Sequence, residues 1–240
     1  DLDLYVANYL DFRLKENPFC GLRKDGYRMY CHPTMFDGRA DRLFRNNGNG
    51  TFTDVSRAAG MANPAGKGLG VVFCDFDRDG DPDIYVANDM VRNFLYKNNG
   101  NGTFTDVAYA AGVGFDGNGK PQAGMGVDCG DVEGNGFPDI FVTNFSEELN
   151  TLYTNLGGGL FEDATQKAGL GAGFIPLGFG TKMYDVDNDG DLDIHVTNGH
   201  VIDNVKLFQP NLTYAQKDLL FENIGAHFRD VTAQSGPALQ

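Results

Sequence analysis

Hydrophobic residues along this chain fall into short runs separated by polar, glycine-rich punctuation, with no 3.6-residue stripe of any length. Four runs read almost alike: LYVAN at Leu4–Asn8, IYVAN at Ile84–Asn88, IFVTN at Ile140–Asn144 and IHVTN at Ile194–Asn198. Three of them follow a Gly-x-Gly lead-in: GLGVVFC from Gly68, GMGVDCG from Gly124 and GFGTKMY from Gly178. After each run comes a Leu-aromatic pair and a Phe-x-Asp segment across an Asn/Gly turn. These are LFRNNGNGTFTDV from Leu43, LYKNNGNGTFTDV from Leu95, LYTNLGGGLFEDA from Leu152 and LFENIGAHFRDV from Leu220. Short apolar runs rich in β-branched and aromatic residues, bounded by Gly and Asn, predict strands. Each unit therefore predicts four strands: A (the lead-in), B (the apolar run), C (the Leu-aromatic pair) and D (the Phe-x-Asp segment). NNGNG suits the C–D hairpin, because Asn and Gly accept the positive φ of tight turns.

Four-stranded units repeated in tandem predict an all-β fold, a β-propeller. Glycine pairs on strand A fit the innermost strand, where blades converge and side chains lack room. The expected layout is a single partial propeller domain over 1–240. Blade 1, lacking strand A, covers 1–60, blade 2 covers 61–112, blade 3 covers 113–169 and blade 4 covers 170–236. Four blades are too few for the usual closed ring, so the chain reads as a segment of a larger one.

Between strands A and B lies an aspartate ladder: DFDRDGDPD at Asp75–Asp83, DVEGNGFPD at Asp131–Asp139 and DVDNDGDLD at Asp185–Asp193. The chain opens on the tail of another copy, Asp1 and Asp3. Oxygen donors at alternate positions with glycine at the sixth are what a hard divalent cation requires of a short loop, and Ca²⁺ is the expected ion. The predicted ligands are Asp75, Asp77, Asp79, Asp81 (through its carbonyl) and Asp83. The Asp185 loop repeats them as Asp185, Asp187, Asp189, Asp191 and Asp193. In the middle loop they become Asp131, Glu133, Asn135, Phe137 (carbonyl) and Asp139, with less charge and a weaker site. EF-hands need flanking helices and calcium β-rolls a nine-residue period, and neither is present. The expected role of the ion is structural, since the packed carboxylates repel one another without it.

The formal net charge of −14 disfavours nucleic acid and anionic membrane as partners. No stretch approaches the roughly 20 apolar residues of a membrane span, so no membrane insertion is expected.

The ladder followed by an apolar strand and NNGNGTFTDV resembles the FG-GAP/VCBS repeats of integrin-α-type propellers. GLGVVFCDFDRDGDPDIYVAND, AGMGVDCGDVEGNGFPDIFVTNFS and LFENIGAHFRDVTAQSGPAL are similar to the cartilage acidic protein-like ASPIC/UnbV proteins. The resemblance implies a seven-bladed calcium-binding propeller outside the cytoplasm, without established catalysis.

Four cysteines allow two disulfides, which also points to an extracellular, cell-surface or periplasmic setting. Cys20 and Cys31 close a loop inserted between strands B and C of blade 1. Cys74 and Cys129 have opposite parity on their strands A. They are open to two readings: a cross-blade disulfide, or two small buried hydrophobes. Irregular sequence concentrates on the face opposite the ladders. Tyr27, Arg28, Tyr30 and Phe36 lie in the Leu10–Asp41 insertion, and His200, Phe208 and Tyr214 lie in the Gly199–Asp218 insertion. These residues are the candidate interaction surface, for an extracellular protein or a glycan, unless the insertions merely pad neighbouring blades. Four scattered histidines, without HExxH or GxSxG, predict no enzyme. The rival readings are a calcium-dependent polysaccharide lyase-like enzyme or a lectin. The missing blades are expected from the same protein or a larger assembly.

Overall fold

The structure, a computed structural model, describes residues 1–236, apart from the side chain of Lys24. It is an array of antiparallel sheets, each ordered as its strands occur in the chain. Blade 1 comprises β1 (Leu4–Val6), β4 (Arg42–Asn46) and β5 (Phe52–Asp54), with a hairpin of β2 (Cys20–Leu22) and β3 (Tyr27–Met29) inserted after β1. Blade 2 contains β6 (Gly68–Cys74), β7 (Asp83–Asn88), β8 (Phe94–Asn98) and β9 (Phe104–Asp106). Blade 3 contains β10 (Val127–Gly130), β11 (Asp139–Val142), β12 (Thr151–Gly157) and β13 (Leu160–Asp163). Blade 4 contains β14 (Gly178–Tyr184), β15 (Asp193–Asn198), β16 (Leu219–Asn223) and β17 (Phe228–Asp230).

The B strands read as continuous apolar runs because both of their faces are covered: every residue of β7 is buried. Alternation along β7 divides its side chains between two neighbours. Ile84 and Val86 pack with Tyr5 and Leu43 of blade 1, whereas Tyr85 and Ala87 pack with Ile140, Val142 and Tyr153 of blade 3. In β11, Phe141 turns the other way and joins Ile194, Val196 and Phe221 of blade 4. The core is therefore a series of layers between blades, driven by burial of apolar surface on each side of every sheet.

At the inner edge, the A strands nearly touch. A Cβ on Gly70 would lie 2.2 Å from the carbonyl oxygen of Met125, and one on Gly126 would lie 1.9 Å from that of Phe179. Only glycine permits that approach. One hydrogen bond recurs from blade to blade. The first lead-in glycine donates its N–H to the asparagine that ends the preceding strand B: Gly68 to Asn8 (3.2 Å), Gly124 to Asn88 (3.0 Å) and Gly178 to Asn144 (3.0 Å).

The two long insertions meet each other. Met29 and Phe208 pack on Ile202, Val205 and Leu212, and the Asn204 amide donates to the Arg28 carbonyl at 3.4 Å. Lys67 reaches back to the Pro33 carbonyl at 2.7 Å, and the Tyr9 hydroxyl donates to Asp89.

Candidate metal loops

Each ladder loop is wrapped by its own backbone. Asp75 accepts the N–H groups of Asp79 (3.1 Å) and Gly80 (3.0 Å), Asp77 accepts that of Asp79 (3.2 Å), and Asp79 accepts that of Asp81 (3.1 Å). The Asp185 loop reproduces this residue for residue, through Asp185, Asp187 and Asp189. Gly80 and Gly190 turn the chain at φ 95° and 101°, where a side chain would strain the backbone. In the middle loop Asp131 accepts from Asn135 and Gly136, and Asn135 accepts from Phe137.

The last aspartate is the anchor. Asp83 is buried, and its two oxygens accept the N–H groups of Phe76 (3.1 Å) and Asn98 (2.8 Å). Asp139 does the same with Val132 and Asn155, and Asp193 with Val186 and Asn223. Asp3 accepts from Asn46 at 2.9 Å, which gives it the same place in blade 1, and the Asp1 carboxylate lies beside Gly48. One aspartate thus ties the start of its loop to strand C, and each oxygen keeps a lone pair for a cation.

These contacts bring Asp75, Asp77 and Asp83 together, and likewise Asp185, Asp187 and Asp193. In each trio the donor oxygens lie within 4.8 Å of one another. The Oδ1 of Asp191 is buried without a hydrogen-bond partner, and burial, reinforced by Asp189, pushes that carboxyl up to about 6. Burial likewise raises Asp139 to about 6, against the hydrogen bonds from Asn155 and Val132. A donor set of crowded oxygens without nitrogen or sulfur fits a hard divalent ion. The middle loop differs, since its Asn135 amide donates to Glu133 at 2.9 Å.

Sequence reasoning passed over the strand-C asparagines. Asn98 bonds the carbonyl of Pro82 in its own loop, and Asn155 bonds that of Pro138. Asn155 and Asn223 also reach the preceding loop, at the carbonyls of Phe76 and Val132, both at 2.9 Å. Neighbouring loops are thereby stitched together. The signal was present, since Asn46, Asn98, Asn155 and Asn223 hold one position in all four units.

On the opposite face, Tyr27, Tyr30 and Tyr214 are 43, 74 and 55 % exposed. Arg28 is exposed beside the Pro18 carbonyl, and Phe36 is half-buried edge-on to Phe12. His200 is not on the surface. It is 4 % exposed, stacks edge-on against Phe145, and accepts the Ile202 N–H through Nδ1. Phe208 is drawn into the core between the insertions. A cavity of about 460 Å³ on blade 4 is lined by Phe179, Thr197, Asn198 and Tyr214, among others. The blade 3 counterparts of Thr197 and Asn198 are Thr143, whose hydroxyl donates to the Phe179 carbonyl at 2.7 Å, and Asn144. The cavity therefore sits on the surface by which one blade receives another. The Cys20–Cys31 pair is disulfide-bonded, with 5.2 Å between Cα atoms.

Sheets ordered A to D, glycine-lined inner edges and an acidic loop at each A–B corner define a β-propeller of acidic-loop repeats. The model of the FG-GAP-like repeat matches residues 34–86, 75–142 and 131–196, and the chain belongs to that family. Among curated relatives, cartilage acidic protein 1 of Mus musculus is 30 % identical over 165 residues, 65 % of this chain and 25 % of that protein. The Homo sapiens protein of the same name is also 30 % identical over 165 residues, 65 % of this chain and 24 % of its own length. The chain thus spans about a quarter of the curated relatives it matches. A solved structure, described as an Agrocybe aegerita lectin recognising non-reducing terminal N-acetylglucosamine, is 21 % identical with a TM-score of 0.44. That match covers 81 % of this chain and 47 % of the lectin. This overlap is too low to bear on what the present chain binds.

Proposed function

We propose that this chain is the calcium-binding part of an extracellular, cell-surface or periplasmic propeller that serves as a recognition scaffold rather than an enzyme. The observation that carries the reading is the convergence of Asp75, Asp77 and Asp83, and of Asp185, Asp187 and Asp193. Backbone donors pre-form each loop, but its carboxylates still repel one another across a few ångströms, so a divalent ion offsets a cost already built into the fold. The ion's contribution is charge neutralisation. Chain residues do the rest, with Asp83, Asp139 and Asp193 clamping each loop to strand C. The Cys20–Cys31 bridge supports an oxidising compartment, where calcium is also plentiful. Recognition is assigned to the insertion face, around Tyr27, Tyr30 and Tyr214, for a protein or glycan partner. Further blades come from the same protein or from a larger assembly.

The test is thermal unfolding with calcium and with EDTA, beside a calcium titration by calorimetry. A melting temperature indifferent to chelation would sink the assignment. A glycan array and a pull-down, each with and without calcium, then separate glycan from protein partners.

A further inference from the structure

We propose that Cys74 and Cys129 form a cross-blade disulfide that joins blade 2 to blade 3. In this structure both are half-buried thiols. Cys74 ends the blade 2 lead-in directly before Asp75, and Cys129 lies two residues before Asp131. One interface further along, the equivalent positions are Gly130 and Met183. There a Cβ built on Gly130 lies 3.6 Å from the Cβ of Met183. Disulfides need Cβ atoms about 3.5–4.5 Å apart, so the repeat places this pair of positions within bonding range.

The blade 2–blade 3 interface agrees. The Cys129 sulfur lies 3.9 Å from the carbonyl oxygen of Phe73, the residue before Cys74. Both thiols pack on the one core layer that holds Phe76, Tyr85 and Ile140. Opposite parity on two A strands, which separates side chains within a single sheet, brings them together here because neighbouring blades present opposite faces.

The oxidant required is a low-molecular-weight disulfide such as oxidised glutathione. One cysteine thiolate attacks a sulfur of the reagent, forming a mixed disulfide and expelling one glutathione thiolate. The second cysteine thiolate then attacks the protein sulfur and expels the other. The two protons lost by the cysteines go to the two departing thiolates, and two electrons pass from the protein to the reagent.

To test this, the whole chain is equilibrated with oxidised and reduced glutathione in calcium buffer, blocked with N-ethylmaleimide and digested without reduction. The expected product is a peptide pair linking Cys74 to Cys129, free of maleimide and two hydrogens lighter than its reduced parts. In Cys129→Ser, Cys74 becomes alkylated, and the oxidised wild type melts above this variant. Maleimide on both Cys74 and Cys129, in a sample whose Cys20–Cys31 peptide is already linked, would overturn the proposal. So would a bridge from either residue to any other cysteine.

Discussion

Lys97, on strand C of blade 2, donates to the Asp79 carboxylate at 2.8 Å and also bonds Asp77, so an ammonium group sits inside the Asp75 ladder. The matching strand position holds Thr154 in blade 3 and Glu222 in blade 4. The blade 2 loop therefore carries a tethered cation where the proposed calcium would sit, while among the described residues no ammonium or guanidinium group pairs with the Asp185 loop. In Lys97→Met, stability in EDTA should fall by about 0.5–1 kcal/mol, as for a partly exposed pair, and the melting temperature with it. The rise on adding calcium should grow. Scanning fluorimetry with and without calcium reads both, and equal shifts in mutant and wild type would remove Lys97 from this role.

Asn155 is 1 % exposed, and its amide joins two loops through Phe76 and Pro138. Asn155→Ala leaves the buried Phe76 carbonyl and the half-buried Pro138 carbonyl without that donor and should destabilise by about 2–3 kcal/mol. Asn98→Ala loses the amide's bond to Pro82 and the bond its oxygen accepts from Gly100, both in solvent-exposed surroundings, and should cost less. Urea unfolding of the two variants gives the comparison, and the reverse order would contradict the stitching role.

Gly126→Ala places a methyl group 1.9 Å from the Phe179 carbonyl, a backbone atom that can move only if blade 4 moves. A loss of about 3 kcal/mol, at the upper end for overpacking, is expected. At Gly114 the nearest atom to a new Cβ is 3.6 Å away, so Gly114→Ala should be nearly neutral. A Gly126→Ala protein melting with the wild type would mean that the A strands do not approach as described.

His200 sets a pH dependence. Burial lowers its pKa below the ordinary 6.5. As pH falls below 6.5, the unfolded chain takes up a proton that the folded chain does not, so stability falls with it. His200→Phe should flatten the stability profile below pH 6.5 relative to wild type. Identical slopes, measured by unfolding in calcium across that range, would exclude His200 as their source.

How legible each feature was depended on how local its cause is. The ladder, the Gly-x-Gly lead-ins and the NNGNG turns state their conformations in sequence, because carboxylate spacing and positive φ are properties of a few adjacent residues. The order A-B-C-D followed from them, and even the strand-C asparagines were visible as a repeat, though not their purpose. His200 and Phe208 looked like surface residues because an insertion carries no periodicity to show which side chains turn inward.

By itself, then, the sequence determined the strands, their grouping into blades and the acidic corner of each, through short-range backbone and charge chemistry written out in near-identical copies. Only the tertiary structure decided which blade face meets which, that the insertions of blades 1 and 4 pack on each other, and that Lys97 enters one ladder alone. Those outcomes depend on packing between residues up to 176 positions apart, as for Arg28 and Asn204. No local pattern encodes contacts at that range.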